Sequence, residues 1–137
     1  MASAAKPLPY KSLTAKLRLD LARVESGVPV STMTDFVTSS GIPLKDIYSI
    51  VIPARTLKHR RARREPLSRD ESDKLARLAR VFDHTVKVFA DIDLARAWLD
   101  KPKKRFEGRT PIEMLRTDIG ARMVEEFLVQ IDYGMFA

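Results

Sequence analysis

Apolar residues along this chain of 137 residues recur at intervals of three and four, the spacing of one helix face. Nowhere do apolar and polar positions alternate long enough to read as a strand. Leu13, Leu17, Leu19, Leu21 and Val24 predict a first helix over about residues 10–26, closed by Gly27, Val28 and Pro29. Ser31 is placed to cap a second helix carrying Met33, Phe36 and Val37, which stops at Ser39, Ser40 and Gly41. A third begins at Pro43, has Leu44, Ile47, Ile50 and Val51 on one side, and is stopped by Pro53. The segment 55–64 permits a helix but holds few apolar anchors, and Pro66 interrupts it. Ser68 and Glu71 then fit a capping box, in which side chain and backbone satisfy each other's orphan donors. The helix it opens carries Leu75, Leu78, Phe82, Val86 and Phe89, a stripe made for a core or a partner helix. Asp91 or Asp93 can cap the next helix, with Leu94, Trp98 and Leu99. After the loop 101–109, Thr110 and Glu113 form a second capping box, with Pro111 at the favoured first helical position. A last helix runs from about Asp118 to Ile131. The fold class is therefore all-α: an N-terminal helix-turn-helix part over residues 1–66, then a small helical domain over 67–137, divided near Pro66.

Composition narrows the function. The chain has no cysteine, so it forms no disulfide, and its two histidines cannot complete a finger-type zinc site. No apolar run reaches membrane-spanning length. Residues Met1 to Pro9 carry no signal-peptide core and read as a loose terminus, so a soluble, cytoplasmic protein without cofactor is the expectation. Charge is more telling in its placement than in its total of +7. Residues 1–70 hold 13 Lys/Arg against 6 Asp/Glu, whereas residues 71–137 hold 12 of each. A basic half joined to a neutral half suggests that one surface meets a polyanion and the other does not.

Val37, Gly41 and Ile47 stand at helix-turn-helix spacing: a modest residue where two helices cross, a glycine for the turn, an apolar pin on the second helix. Beside them runs the basic series Arg55, Lys58, Arg60, Arg61, Arg63 and Arg64, suited to phosphate contacts. Lys45, Asp46, Tyr48 and Ser49, on the second helix, are the candidates for reading bases. A single module of this size binds weakly, so a homo-oligomer, in the simplest case a dimer on half-sites, is expected.

The last helix presents two neighbouring apolar rows. Ile119, Met123, Phe127 and Ile131 form one, and Val124, Leu128 and Ile131 the other. Gly120 suggests a close helix approach. Tyr133, Gly134, Met135, Phe136 and Ala137 follow, with Glu125, Glu126 and Asp132 and no base after Arg122. An apolar, acidic segment of this kind suits a basic pocket on a partner, such as one made for a nucleotide phosphate.

At these residues the chain resembles the Xre/MbcA/ParS-type antitoxins that are paired with RES-domain toxins. Pro53, Arg55, Thr56 and Leu57 resemble one family segment, and Leu67, Ser68, Glu71, Ser72, Asp73 and Leu75 its central signature. Ala97, Trp98, Leu99 and Pro102, then Phe106, Gly108 and Pro111, then Leu115, Thr117, Gly120 and Val124 to Glu126, resemble its toxin-binding domain. The resemblance spans roughly residues 50–137 and implies an all-helical protein with a Cro-like DNA-binding part. It also implies a RES toxin that depletes NAD, a C-terminal segment that blocks that toxin's active site, and repression of the protein's own operon. Gly120, Val124, Phe127, Leu128, Ile131, Tyr133, Gly134, Met135, Phe136 and Ala137 are then the toxin-binding candidates. Other members partner other toxins. Two alternatives stand beside this reading. One is a stand-alone regulator whose C-terminal half only oligomerises. The other is an enzyme using His59 or His84, for which the sequence brings no nucleophile, base and acid together and offers no glycine-rich phosphate loop.

Overall fold

A computed structural model describes residues 10–134. Among them lie nine α-helices and no strand. They are α1 (Leu13–Lys16), α2 (Leu21–Ser26), α3 (Val30–Ser40), α4 (Leu44–Ile50), α5 (Ala54–Ala62), α6 (Arg69–Phe89), α7 (Ile92–Leu99), α8 (Pro111–Met114) and α9 (Asp118–Asp132), with a 3₁₀ turn at Lys104–Phe106.

The spine is α6. Its capping box forms as the spacing requires: the Glu71 N–H donates to Ser68 Oγ at 3.0 Å, and the Ser68 N–H to Glu71 Oε1 at 2.7 Å. Leu75, Leu78, Val81, Phe82 and Val86 are all buried, so the apolar stripe is the wall on which both halves of the chain pack. Phe36 of α3 meets Phe82 edge to face, with ring centroids 6.1 Å apart. Helices α7 and α9 also lie against α6, and one continuous hydrophobic cluster runs from Leu13 to Leu128.

The first helix of the sequence reading is two helices. Leu17 and Leu19 are both buried, yet residues two apart on a helix point to nearly opposite sides. The chain resolves this by ending α1 early. Arg18 takes a left-handed conformation at φ 55°, its N–H donates to the Ala15 carbonyl, and the Leu19 N–H donates to the Thr14 carbonyl at 2.9 Å. Asp20 then caps α2. Leu21, expected inside, is 74% exposed.

Three further details differ. The second helix starts at Val30 with Pro29 as its N-cap, and Ser31 lies exposed within its first turn. Proline's fixed φ and missing N–H place it naturally just outside a helix. Pro53 also stands outside one: α4 closes at Val51, and Pro53 is the N-cap of α5. Leu44 and Leu94, read as inward, are exposed.

A long-range clamp holds α1. The Asp83 carboxylate, on α6, accepts from Tyr10 Oη (2.6 Å), Ser12 Oγ (2.7 Å), Leu13 N–H (2.8 Å), Thr14 N–H (3.0 Å) and Thr14 Oγ1 (2.7 Å). Burial pushes this carboxyl up, but the hydrogen bonds from Tyr10, Thr14 and Ser12 outweigh it and hold it below the usual carboxylate range. Tyr10 is driven the other way, first by burial and then by its bond to Asp83.

Candidate functional site

The spacing of Val37, Gly41 and Ile47 does make a helix–turn–helix joint. Gly41 caps α3 at φ 72°, its N–H donates to the Val37 carbonyl at 3.0 Å, and Ile47 is fully buried. That joint is not an open surface, however. Arg96 of α7 lies over it and donates from Nη1 to the Ser40 carbonyl at 3.1 Å. Beneath the guanidinium is a cavity of about 180 Å³ lined by Gly41, Pro43, Asp46, Arg96, Asp100 and Ile112. Asp46 faces this cavity, and burial pushes its carboxyl above the usual range. Tyr48 packs against the core. Lys45 and Ser49 are exposed, the latter donating back to the Lys45 carbonyl.

The next joint has the more open geometry. Val51 and Ile52 are buried in the turn, and Pro53 opens α5 as its N-cap. Leu57 is the one buried residue of α5. Arg55, Lys58, His59 and Arg61 are exposed on it, and Arg63 and Arg64 at its end. Arg55, Lys58 and His59 line a shallow groove of about 520 Å³ with Ala54 and Ala62. Arg60 differs from its neighbours. Its Nε and Nη2 bond both oxygens of Glu71 at 3.2 Å, and Glu65 lies 3.8 Å from Nη1. That fork anchors α5 to the capped end of α6. In the sequence Pro53 reads as a stop, and the second joint is visible only in the structure. A proline followed by a residue run without breakers is equally a helix start.

On α9 the two apolar rows separate. Val124 and Leu128 are buried in the chain's own core, with Gly120 and Ala121. Gly120 has a specific reason to lack a side chain: a Cβ there would lie 1.9 Å from the Met114 carbonyl oxygen of α8. The other row faces outward, with Ile119 73% and Met123 42% exposed. Phe127 and Ile131 are half-buried. Tyr133, just past the helix, is 78% exposed, and Gly134 is exposed. Met135, Phe136 and Ala137 lie outside the described residues.

Glu125 is engaged by Arg80 at 2.8 Å and Asp118 by Arg122 at 2.9 Å, so Glu126 and Asp132 are the exposed acids of this helix that form no ion pair among the described residues. Phe127 belongs to an aromatic row with Phe106, Trp98 and Phe89, neighbouring centroids 5.6–5.7 Å apart. His84 is half-buried beside Glu125 and Asp132, and burial lowers its pKa. Among the described residues no three His, Asp or Glu side chains gather to hold a metal ion, and no helix is long and apolar enough to cross a membrane.

Comparison with known proteins matches both halves of the chain. Residues 21–80 fit the antitoxin Xre-like helix-turn-helix domain, and residues 84–134 the antitoxin Xre/MbcA/ParS C-terminal toxin-binding domain. The two matches meet inside α6. Among curated relatives, "Antitoxin Xre" of Pseudomonas putida is 49% identical over 84 residues, 61% of this chain and 53% of its own length. The chain thus matches about half of that relative. "Antitoxin Xre" of Photorhabdus laumondii is 32% identical over 83% of this chain and 78% of its own length. "Prs ADP-ribosylating antitoxin" of Sphingobium is 26% identical over 96% of this chain and 89% of its own. With α5 and its basic groove inside the first matched domain and α9 inside the second, the chain belongs to the Xre antitoxin family.

Proposed function

We propose that this protein neutralises a RES-domain, NAD-degrading toxin and, as a homo-oligomer in the cytoplasm, binds operator DNA to repress its own operon. The observation that carries this reading is the pairing of two unlike surfaces on one core. An exposed basic face of α5 lies at one end of α6, and an outward apolar row on α9 leads into Tyr133 at the other. The functional division falls near Pro66, with α6 as the shared support.

For DNA, we assign the groove-entering helix to α5 rather than α4. Arg55, Lys58 and Arg61 are exposed along it with Arg63 and Arg64 beyond, while the α3–α4 joint is covered by Arg96. Phosphate contacts of this kind make binding fall steeply with salt. For the toxin, the contact surface is Ile119, Met123, Phe127, Ile131 and the segment Tyr133 to Ala137. Gly120, Val124 and Leu128 serve it indirectly, by seating α9 on α6 and α8. The apolar, acidic segment enters the NAD cleft and excludes substrate.

Deleting residues 132–137 tests the mechanism. The truncated chain should keep its helical content and its operator affinity, yet fail to stop NAD loss when mixed with the toxin. Undiminished inhibition by the truncated chain would refute occlusion by this segment. The name of the Sphingobium relative favours one second reading, a partner that transfers ADP-ribose to a protein. Incubating the liberated toxin with labelled NAD separates the two: label released as free ADP-ribose supports the first, label retained on protein the second.

A further inference from the structure

The turn between α7 and α8, residues 101–109, holds five cations, Lys101, Lys103, Lys104, Arg105 and Arg109, against one acid, Glu107. It is built rather than loose. Phe106 is buried at its base, the Lys103 N–H donates to the Arg109 carbonyl at 3.0 Å, and the Gly108 N–H to the Lys103 carbonyl at 3.0 Å. Lys103 Nζ sits 4.9 Å from the Trp98 ring centre, and the Arg105 guanidinium 4.1 Å from that of Phe127.

Among the described residues, Lys101, Lys103, Lys104 and Arg109 form no ion pair, whereas Arg77 and Arg80 of α6 are both paired. Like charges crowded on a turn with a single acid raise the free energy of the isolated chain, and an acidic surface relieves it.

We propose that this turn is an electrostatic landing edge that recognises an acidic patch beside the toxin's cleft, a proposal that rests on the toxin reading above. Position selects a protein over nucleic acid. Arg105 donates to Gln130 of α9 at 2.5 Å, and Gln130 lies in the last turn of that helix, which ends at Asp132. A partner seated against the last turn of α9 therefore meets this turn as well. A duplex on α5 is far away: α5 is tied to Glu71 and the turn to Phe89 through Trp98, some 27 Å apart along α6. Glu126 and Asp132 are exposed on the α9 side. The docking surface thus pairs a positive edge with a negative one, which sets the orientation of approach as well as its rate.

Lys101→Glu with Lys104→Glu tests this, since both side chains are exposed and unpaired. Association of full-length chain with catalytically inactive RES toxin is followed at 50 and 300 mM salt, alongside operator binding. The double reversal should slow association about tenfold or more at low salt, with the gap closing at high salt and operator affinity unchanged. Lys101→Gln with Lys104→Gln, gentler on the fold, should slow it about threefold. If both variants associate as fast as the wild type while the wild type captures toxin, the landing edge is refuted and the toxin reading stands. If the wild type captures no toxin, both fall. If operator affinity drops while the association rate holds, the turn serves nucleic acid and the proposal is overturned.

Discussion

Asp83 offers the sharpest test of how the fold is assembled, because one carboxylate organises the whole start of the described chain. Replacing it with alanine strands five donors at once: two backbone amides of α1 and the hydroxyls of Tyr10, Ser12 and Thr14. Each amide lost from a half-buried position costs about 1 kcal/mol, and each solvent-accessible hydroxyl about half that, because water replaces the acceptor. Relief from burying the carboxylate returns about 1 kcal/mol, leaving a loss of about 2–3 kcal/mol. For a chain of this length that corresponds to a fall in Tm of roughly 6–12 °C. Asp83→Asn keeps one acceptor oxygen and should lose about half as much.

The loss is also local, so amide exchange should rise over residues 13–19 before it rises in α6. The pH dependence follows from the depressed carboxyl pKa. Stabilisation by Asp83 is fully present above the unfolded aspartate value of about 3.9 and disappears as pH falls through the lower folded value. Wild type and Asp83→Asn should therefore differ by a constant amount from pH 5 to pH 8 and converge in stronger acid. Tyr10 acts at the other extreme: its raised pKa means stability declines once pH rises above the ordinary tyrosine value of about 10. An Asp83→Ala protein melting within 1–2 °C of wild type, with unchanged exchange over residues 13–19, would refute the clamp.

Two other substitutions separate structural from functional roles. Gly120→Ala should destabilise by about 1–3 kcal/mol, read by thermal melting, because its methyl group overlaps the Met114 carbonyl and α8 must move. Arg61→Ala should weaken operator binding evenly across sequences and lower the salt slope by about one, whereas Arg60→Ala, by freeing Glu71, should lower Tm and change that slope little.

Much of the architecture was legible because its determinants lie three or four residues apart. The capping boxes at Ser68 and Glu71 and at Thr110 and Glu113 form as their spacing implies, and Asp91 caps α7. The stripe from Leu75 to Val86 is buried, and Gly41 takes the left-handed turn. The basic series that carries the DNA reading stands out in the bare chain. The break at Arg18 was less visible, since it answers a demand to bury Leu17 and Leu19 together against α6 rather than any local breaker. The joint at Pro53 was hidden for a different reason: one proline both forbids the preceding residue a helical conformation and opens the next helix.

What the sequence determined by itself is most of the helices, both capping boxes and the uneven placement of charge, all of which depend on neighbours within a turn or two. Tertiary structure alone decided which side of each helix is spent on the core. On α9, Val124 and Leu128 turn inward and Ile119 and Met123 outward, though both rows are apolar. That choice is made by α6 and α8. Likewise Arg60 is diverted to Glu71, and α1 is hung on an aspartate some seventy residues away. Periodicity shows that a helix has a face. Contacts between residues distant in the chain decide which way it points, because burial energy is a property of the packed whole.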